Sequence, residues 1–244
     1  MTVKEYISKG IKKGTMHMSL LDPDKQSAQE AAELAQRCKD AGTDAIMIGG
    51  STGISNENLD ETALAIKKRT GLPVIYVPAG PHALSKEVDA MYYMSLVNST
   101  DLKWVIRAQV EASTYVKKMG VETIPMGYIL VEPGMKVAEV GKAECIKRDD
   151  IKGAVSWALG CELMGMHLVY LEAGSGADKP VPPEMIKAVK NAISVPLIVG
   201  GGIRTPEAAK AAKDAGADII VTGTFIERCH DDMLLKAVIS AAKN

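Results

Sequence analysis

Eight short apolar runs, most without polar alternation and most followed by a longer amphipathic stretch, do most to limit what this chain can become. They lie at 17–22 (HMSLLD), 44–50 (DAIMIGG), 73–79 (PVIYVPA), 90–97 (AMYYMSLV), 123–133 (TIPMGYILVEP), 167–173 (HLVYLEA), 196–203 (PLIVGGGI) and 218–224 (DIIVTGT). Helical patterns fall near 27–41, 56–70, 102–119, 150–165, 183–192, 205–216 and 230–243. Strands that are apolar on both sides must be covered on both faces, the condition of a parallel α/β sheet. Eight of them in 244 residues predict a (β/α)8 TIM barrel, a fold of roughly 250 residues. An open doubly wound sheet is the alternative. One connection breaks the pattern. GPHALSKEVD at 80–89 is too short and too broken for a full helix, so a modified barrel is expected, with an irregular or extended segment between strands three and four. No linker interrupts residues 1–244, which read as a single domain. Residues 1–15 carry Val3, Tyr6, Ile7 and Ile11 at helical spacing and predict an N-terminal capping helix.

Composition narrows the function. The 29 Lys+Arg against 30 Asp+Glu, with 4% aromatic residues, leave neither a basic surface nor stacking platforms for nucleic acid. Cys38, Cys145, Cys161 and Cys229 form no CxxC pair and read as reduced thiols of a cytoplasmic protein. The four histidines lack zinc-ligand spacing, no GxSxG elbow is present, and no apolar run reaches membrane-spanning length. The thirteen methionines read as adaptable core.

In such a barrel the chemistry sits at the C-terminal strand ends. Gly200-Gly201-Gly202 ends strand seven, and Thr205-Pro206-Glu207 opens the next helix. Glycine backbone and a helix N-terminus together favour a phosphate, and Gly223-Thr224 at the end of strand eight would complete the cradle. Asp22-Pro23-Asp24 ends strand one, where a carboxylate suits a hard metal ion, a general base, or merely an Asx turn or helix cap, the last fitting Asp24. Strand two ends in Gly49-Gly50-Ser51-Thr52-Gly53, whose hydroxyl could join Asp22 around Mg²⁺. Strand six ends in Tyr170-Leu171-Glu172-Ala173-Gly174-Ser175-Gly176, and strand periodicity puts Tyr170 and Glu172 on one face.

Taken in order, LLDPDK, IMIGGSTG, YLEAGSG, VGGGI and TGT resemble the geranylgeranylglyceryl phosphate synthase family, from about His17 to Thr224. The resemblance implies a barrel with one helix replaced by an extended segment. It implies Mg²⁺-dependent ether formation between sn-glycerol 1-phosphate and a polyprenyl (geranylgeranyl) diphosphate, in archaeal membrane lipid synthesis. Asp22 and Ser51 match the family's magnesium positions. Tyr170, Leu171, Glu172, Ala173, Gly174, Ser175, Gly176, Gly201, Gly202, Gly223 and Thr224 match its glycerol-phosphate positions. Leu20 stands where some bacterial relatives have lysine, which points to the archaeal type, as does the segment carrying Tyr128 and Glu132. A homo-oligomer (dimer or hexamer) and peripheral membrane contact are also implied.

On this reading Glu172 accepts the attacking hydroxyl's proton, Tyr170 holds the acceptor, and Trp104 is a candidate floor for the prenyl groove, with ordinary helix packing as its other explanation. Two rivals stand beside it: a phosphoribosyl-type isomerase using Asp22 and Glu132 as its acid and base, and a non-catalytic protein that binds a phosphorylated lipid precursor.

Overall fold

The structure, a computed structural model, describes residues 1–50 and 53–243. Eight parallel strands close a barrel in sequence order, β1 pairing with β8 through Met16↔Ile219 to Ser19↔Thr222. The strands are β1 Met16–Leu21, β2 Ala45–Gly49, β3 Val74–Val77, β4 Ala90–Leu96, β5 Glu122–Leu130, β6 Leu168–Glu172, β7 Leu197–Gly200 and β8 Ile219–Thr222. Around them run α1 Val3–Ile11, α2 Ala28–Ala41, α3 Asn56–Thr70, α4 Ala108–Met119, α5 Met135–Gly141, α6 Ile151–Leu163, α7 Pro183–Ala192, α8 Pro206–Asp214, α9 Thr224–Arg228 and α10 Asp232–Lys243.

Local chemistry sets the helix ends. Ser27 and Ser55 cap α2 and α3 through reciprocal capping boxes, and glycines in the left-handed region, Gly42, Gly71 and Gly120, end α2, α3 and α4. Asp24 is not a cap. The barrel interior is filled by Met18, Met47, Ile75, Tyr92, Met126, Tyr128, Tyr170 and Ile198, so several methionines are core as expected. At the N-terminal ends of the strands, α1 packs Val3 and Ile7 onto this interior, and the Val3 and Lys4 amides donate to Glu122 at 2.6 and 2.9 Å. The N-terminal helix is a plug.

The broken connection behaves as expected, with no helix between β3 and β4. Those strands pair only at Ile75↔Ala90 and Tyr76↔Met91, and the segment between them is tied by Tyr76 donating to the Ala83 carbonyl (3.1 Å) and by the Leu84 amide donating to Asn56 (2.9 Å). Three details depart from expectation. β5 stops at Leu130, and residues 131–133, read as its end, form an isolated bridge, Val131↔Ile146, and a turn before α5. The stretch expected as one helix from 102 begins as a π-turn, Lys103–Arg107, continuing into α4. The short helix α9 intervenes between β8 and the last helix. Among the described residues no helix is long and apolar enough to cross a membrane.

Candidate active site

The C-terminal ends of the strands open into a cavity of about 800 Å³, which continues over the gap left by the missing helix. One end is polar. Tyr170, Glu172, Ser175, Gly176, Gly201, Gly202, Gly223 and Thr224 line it together, as their positions at the ends of β6, β7 and β8 predict.

Close approach explains the glycines. A Cβ on Gly200 would stand 2.3 Å from the Tyr170 hydroxyl, and one on Gly201 2.3 Å from Glu172 Oε1, with φ +81° besides. Any side chain there would displace the Tyr170–Glu172 pair. Ser175 and Thr224 hydroxyls share a 2.6 Å hydrogen bond across the cradle. Arg204 donates to the carbonyls of Gly176 and Ala177, holding the loop after β6 in place.

Two expectations about this cradle change. Leu171 and Ala173 project to the opposite face of β6 and are buried among the helix-facing apolar residues, because strand alternation sends them outward. Gly174 shapes the turn, its amide donating to Glu172 Oε1 at 2.6 Å. The helix start at Thr205 is self-capped, Thr205 Oγ1 accepting from the Ala208 amide (3.2 Å), and it does not line the cavity. The helix that opens onto it is α9, the short extra helix after β8, a frequent partner of phosphate in barrels.

Glu172 is buried, and desolvation raises its pKa against the opposing pull of the Tyr170 hydroxyl and the Gly174 amide, both donated to its carboxylate. Tyr170 and Tyr128 are held well above the ordinary phenol value, by burial first and by the Glu172 charge second. Their rings meet edge to face at 5.0 Å. Tyr170 therefore stays a neutral donor beside a carboxylate well suited to accept a proton.

Asp22 lies at the mouth. A Cβ on Gly50 would fall 2.5 Å from its carboxylate, so only glycine lets β2's end pass. Asp22, not Asp24, forms the Asx turn, accepting from the Asp24 amide at 3.1 Å. Lys25 stands 3.4 Å from Asp22 and 2.8 Å from Glu227 on α9, and these two carboxylates raise its pKa despite partial burial. Neither Lys25 nor Glu227 was picked out in the sequence; Lys25 is part of LLDPDK, but nothing local marks Glu227. Ser51, expected beside Asp22, lies outside the described residues. Glu132 is exposed and off the cavity lining, so it is not paired with Asp22 across the cavity as the isomerase reading required.

The rest of the cavity is apolar, running past Val77, Pro78, Ala79, Leu84, Met91, Ala108 and Ala112. Trp104, in the π-turn, lines it and packs on the barrel interior, with Lys103 Nζ 4.5 Å from its ring centroid.

The PcrB family model matches residues 9–242. Among curated proteins, the chain is 51% identical over 226 residues to the geranylgeranylglyceryl phosphate synthase of Thermococcus kodakarensis, covering 93% of this chain and 90% of the relative. It is 49% identical over 242 residues to that of Pyrococcus horikoshii, covering 99% and 95%. The crystal structure of (S)-3-O-geranylgeranylglyceryl phosphate synthase from Thermoplasma acidophilum in complex with sn-glycerol-1-phosphate superposes with a TM-score of 0.96 at 46% identity, covering 100% of this chain and 99% of that one.

Proposed function

From the premise that this chain belongs to the PcrB family, we propose that it is a prenyltransferase joining sn-glycerol 1-phosphate to geranylgeranyl diphosphate through an ether bond. The observation that carries the reading is one cavity with a glycine cradle at one end, an apolar groove at the other, and the buried Glu172 carboxylate in the cradle. Relatives matched over nearly their whole length bear the name of this reaction, and the similar Thermoplasma structure holds sn-glycerol-1-phosphate.

The chain's residues divide the work. Backbone amides at Gly201, Gly202, Gly223 and Thr224 receive the phosphate, fixing the glycerol so that its terminal hydroxyl reaches the allylic carbon. Glu172 takes the hydroxyl proton as the new C–O bond forms, while the bond to diphosphate breaks and the diphosphate leaves with its electron pair. Tyr170 donates to Glu172 and keeps its carboxylate aimed. The prenyl chain lies in the groove that the missing helix leaves open.

Mg²⁺ belongs to this reading. It takes one or two carboxylates plus substrate phosphates, and Asp22, with Glu227 nearby, offers oxygen donors of that kind at the mouth. Among the described residues no three acidic, His or Cys side chains converge on one point, so the donor set fits an ion shared with substrate. Asp22 and Ser51 would hold it. When bound it would neutralise charge on the departing diphosphate. Self-association as a dimer or hexamer is also part of the proposal, supported by Leu102, Ile106 and Val110, exposed one helical turn apart.

Incubation with Mg²⁺, both glycerol phosphate enantiomers and diphosphates of graded length, read by mass spectrometry, tests the reading. Ether product from sn-glycerol 1-phosphate and the geranylgeranyl donor is expected. Binding without product would leave a non-catalytic lipid-precursor protein.

A further inference from the structure

The π-turn at Lys103–Arg107 is held by side chains from the strand beneath it. Ser95 on β4 donates to the Val105 carbonyl at 2.6 Å, and Tyr93 on the same face donates to the Gln109 carbonyl. Gln109, one turn beyond, donates its amide to the Met94 carbonyl on β4 and to the Trp104 carbonyl at 3.4 Å. Both its partners are acceptors, so the amide orientation is forced: a flipped side chain would set carbonyl against two carbonyls. The remaining atom, Oε1, is buried and has no partner among the described residues. An unpaired buried acceptor is unfavourable, yet Gln109 keeps this arrangement in the wall of the groove with Trp104.

π-turns are rare, widen the helix and gather at functional sites. Here the turn turns the helix face so that Trp104 enters the groove, its ring 3.8 Å from where a Cβ on Gly80 would lie. Resting on the prenyltransferase reading above, we propose that Gln109 is a positioning residue for donor chain length: it pins the π-turn to β4 so that Trp104 closes the groove at a fixed depth. Its peg acts on the backbone of Trp104 itself.

The test compares kcat/KM for diphosphates of twenty and thirty-five carbons in wild type, Gln109→Met, Trp104→Ala and the double variant. Gln109→Met is expected to raise the long-to-short ratio about tenfold, through KM for the prenyl diphosphate rather than kcat. KM for sn-glycerol 1-phosphate should stay put, and the substitution should add nothing to the ratio once Trp104 is Ala. Ser95→Ala, which removes the second peg and no groove atom, is expected to move the ratio the same way and serves if Gln109→Met does not fold. An unmoved ratio in Gln109→Met and Ser95→Ala, with Trp104→Ala shifted, would overturn the role of Gln109 and leave the groove reading standing. An unmoved ratio in Trp104→Ala would overturn both, and a Gln109 effect that persists without Trp104 would overturn the positioning role. Product from no donor length in wild type would sink the prenyltransferase reading itself.

Discussion

The hydroxyls of Ser175 and Thr224, 49 positions apart, share a hydrogen bond of 2.6 Å that ties the turn after β6 to the first residue of α9. Both ends of the phosphate cradle thereby move as one body. Ser175→Ala and Thr224→Val should each raise KM for sn-glycerol 1-phosphate by roughly three- to tenfold. The double variant should fall short of the product of the two, because each single change already breaks the bond. Initial-rate kinetics at saturating prenyl diphosphate give the answer.

Glu172→Gln should lower kcat by about 10²- to 10⁴-fold, the usual worth of a positioned base, with prenyl diphosphate binding little changed. Because burial raises the Glu172 pKa, the acid limb of the pH–kcat/KM profile should lie above the ordinary value of 4.5 and vanish in the variant. A raised folded-state pKa means that ionisation weakens the fold as pH climbs through the window above 4.5. The melting temperature of Glu172→Gln at neutral pH should accordingly equal or exceed that of the wild type. Unchanged turnover would remove Glu172 from the mechanism.

Gly201→Ala puts a Cβ 2.3 Å from Glu172 Oε1 at a residue with φ +81°. Affinity for the glycerol phosphate should fall by about tenfold or more, with a lower melting temperature from the strained backbone. Gly71→Ala, also at positive φ but with open space around it, should lower only the melting temperature. Calorimetric titration and thermal melts separate the two.

Asp22→Asn should weaken the dependence of rate on Mg²⁺ concentration, shifting half-saturation upward. Equal rates for both proteins across a magnesium series would dismiss Asp22 as a metal residue.

His17 is buried between Thr43 Oγ1 (2.8 Å) and Thr222 Oγ1 (2.9 Å), and desolvation, aided by Lys243, drops its pKa to about 3. The neutral ring's contribution is complete above the unfolded value of 6.5 and is lost as pH falls toward 3. Over that window it should cost about 1.4 kcal/mol per pH unit. Urea melts of His17→Gln across the same range should show a shallower acid slope than wild type.

The order of elements and the chemistry of each strand end were readable in the residues themselves. Apolar runs, their glycine or acidic endings and the broken stretch at 80–89 are local properties, and strand periodicity suffices to place Glu172 beside Tyr170 on one strand face. The same periodicity, followed strictly, sends Leu171 and Ala173 outward, where the structure has them. Only closure of the barrel decided the rest. Bringing β8 against β1 delivered Glu227 to Asp22 and Lys25, set α9 rather than the Thr205 helix start over the cradle, and joined Thr222 to His17. Packing the helix after β4 onto that strand brought Ser95 to the Val105 carbonyl in the π-turn and left the Gln109 oxygen buried and unpaired among the described residues. These partners lie tens to hundreds of positions apart, and no pattern along a chain encodes a contact whose free energy exists only once both surfaces have been buried together.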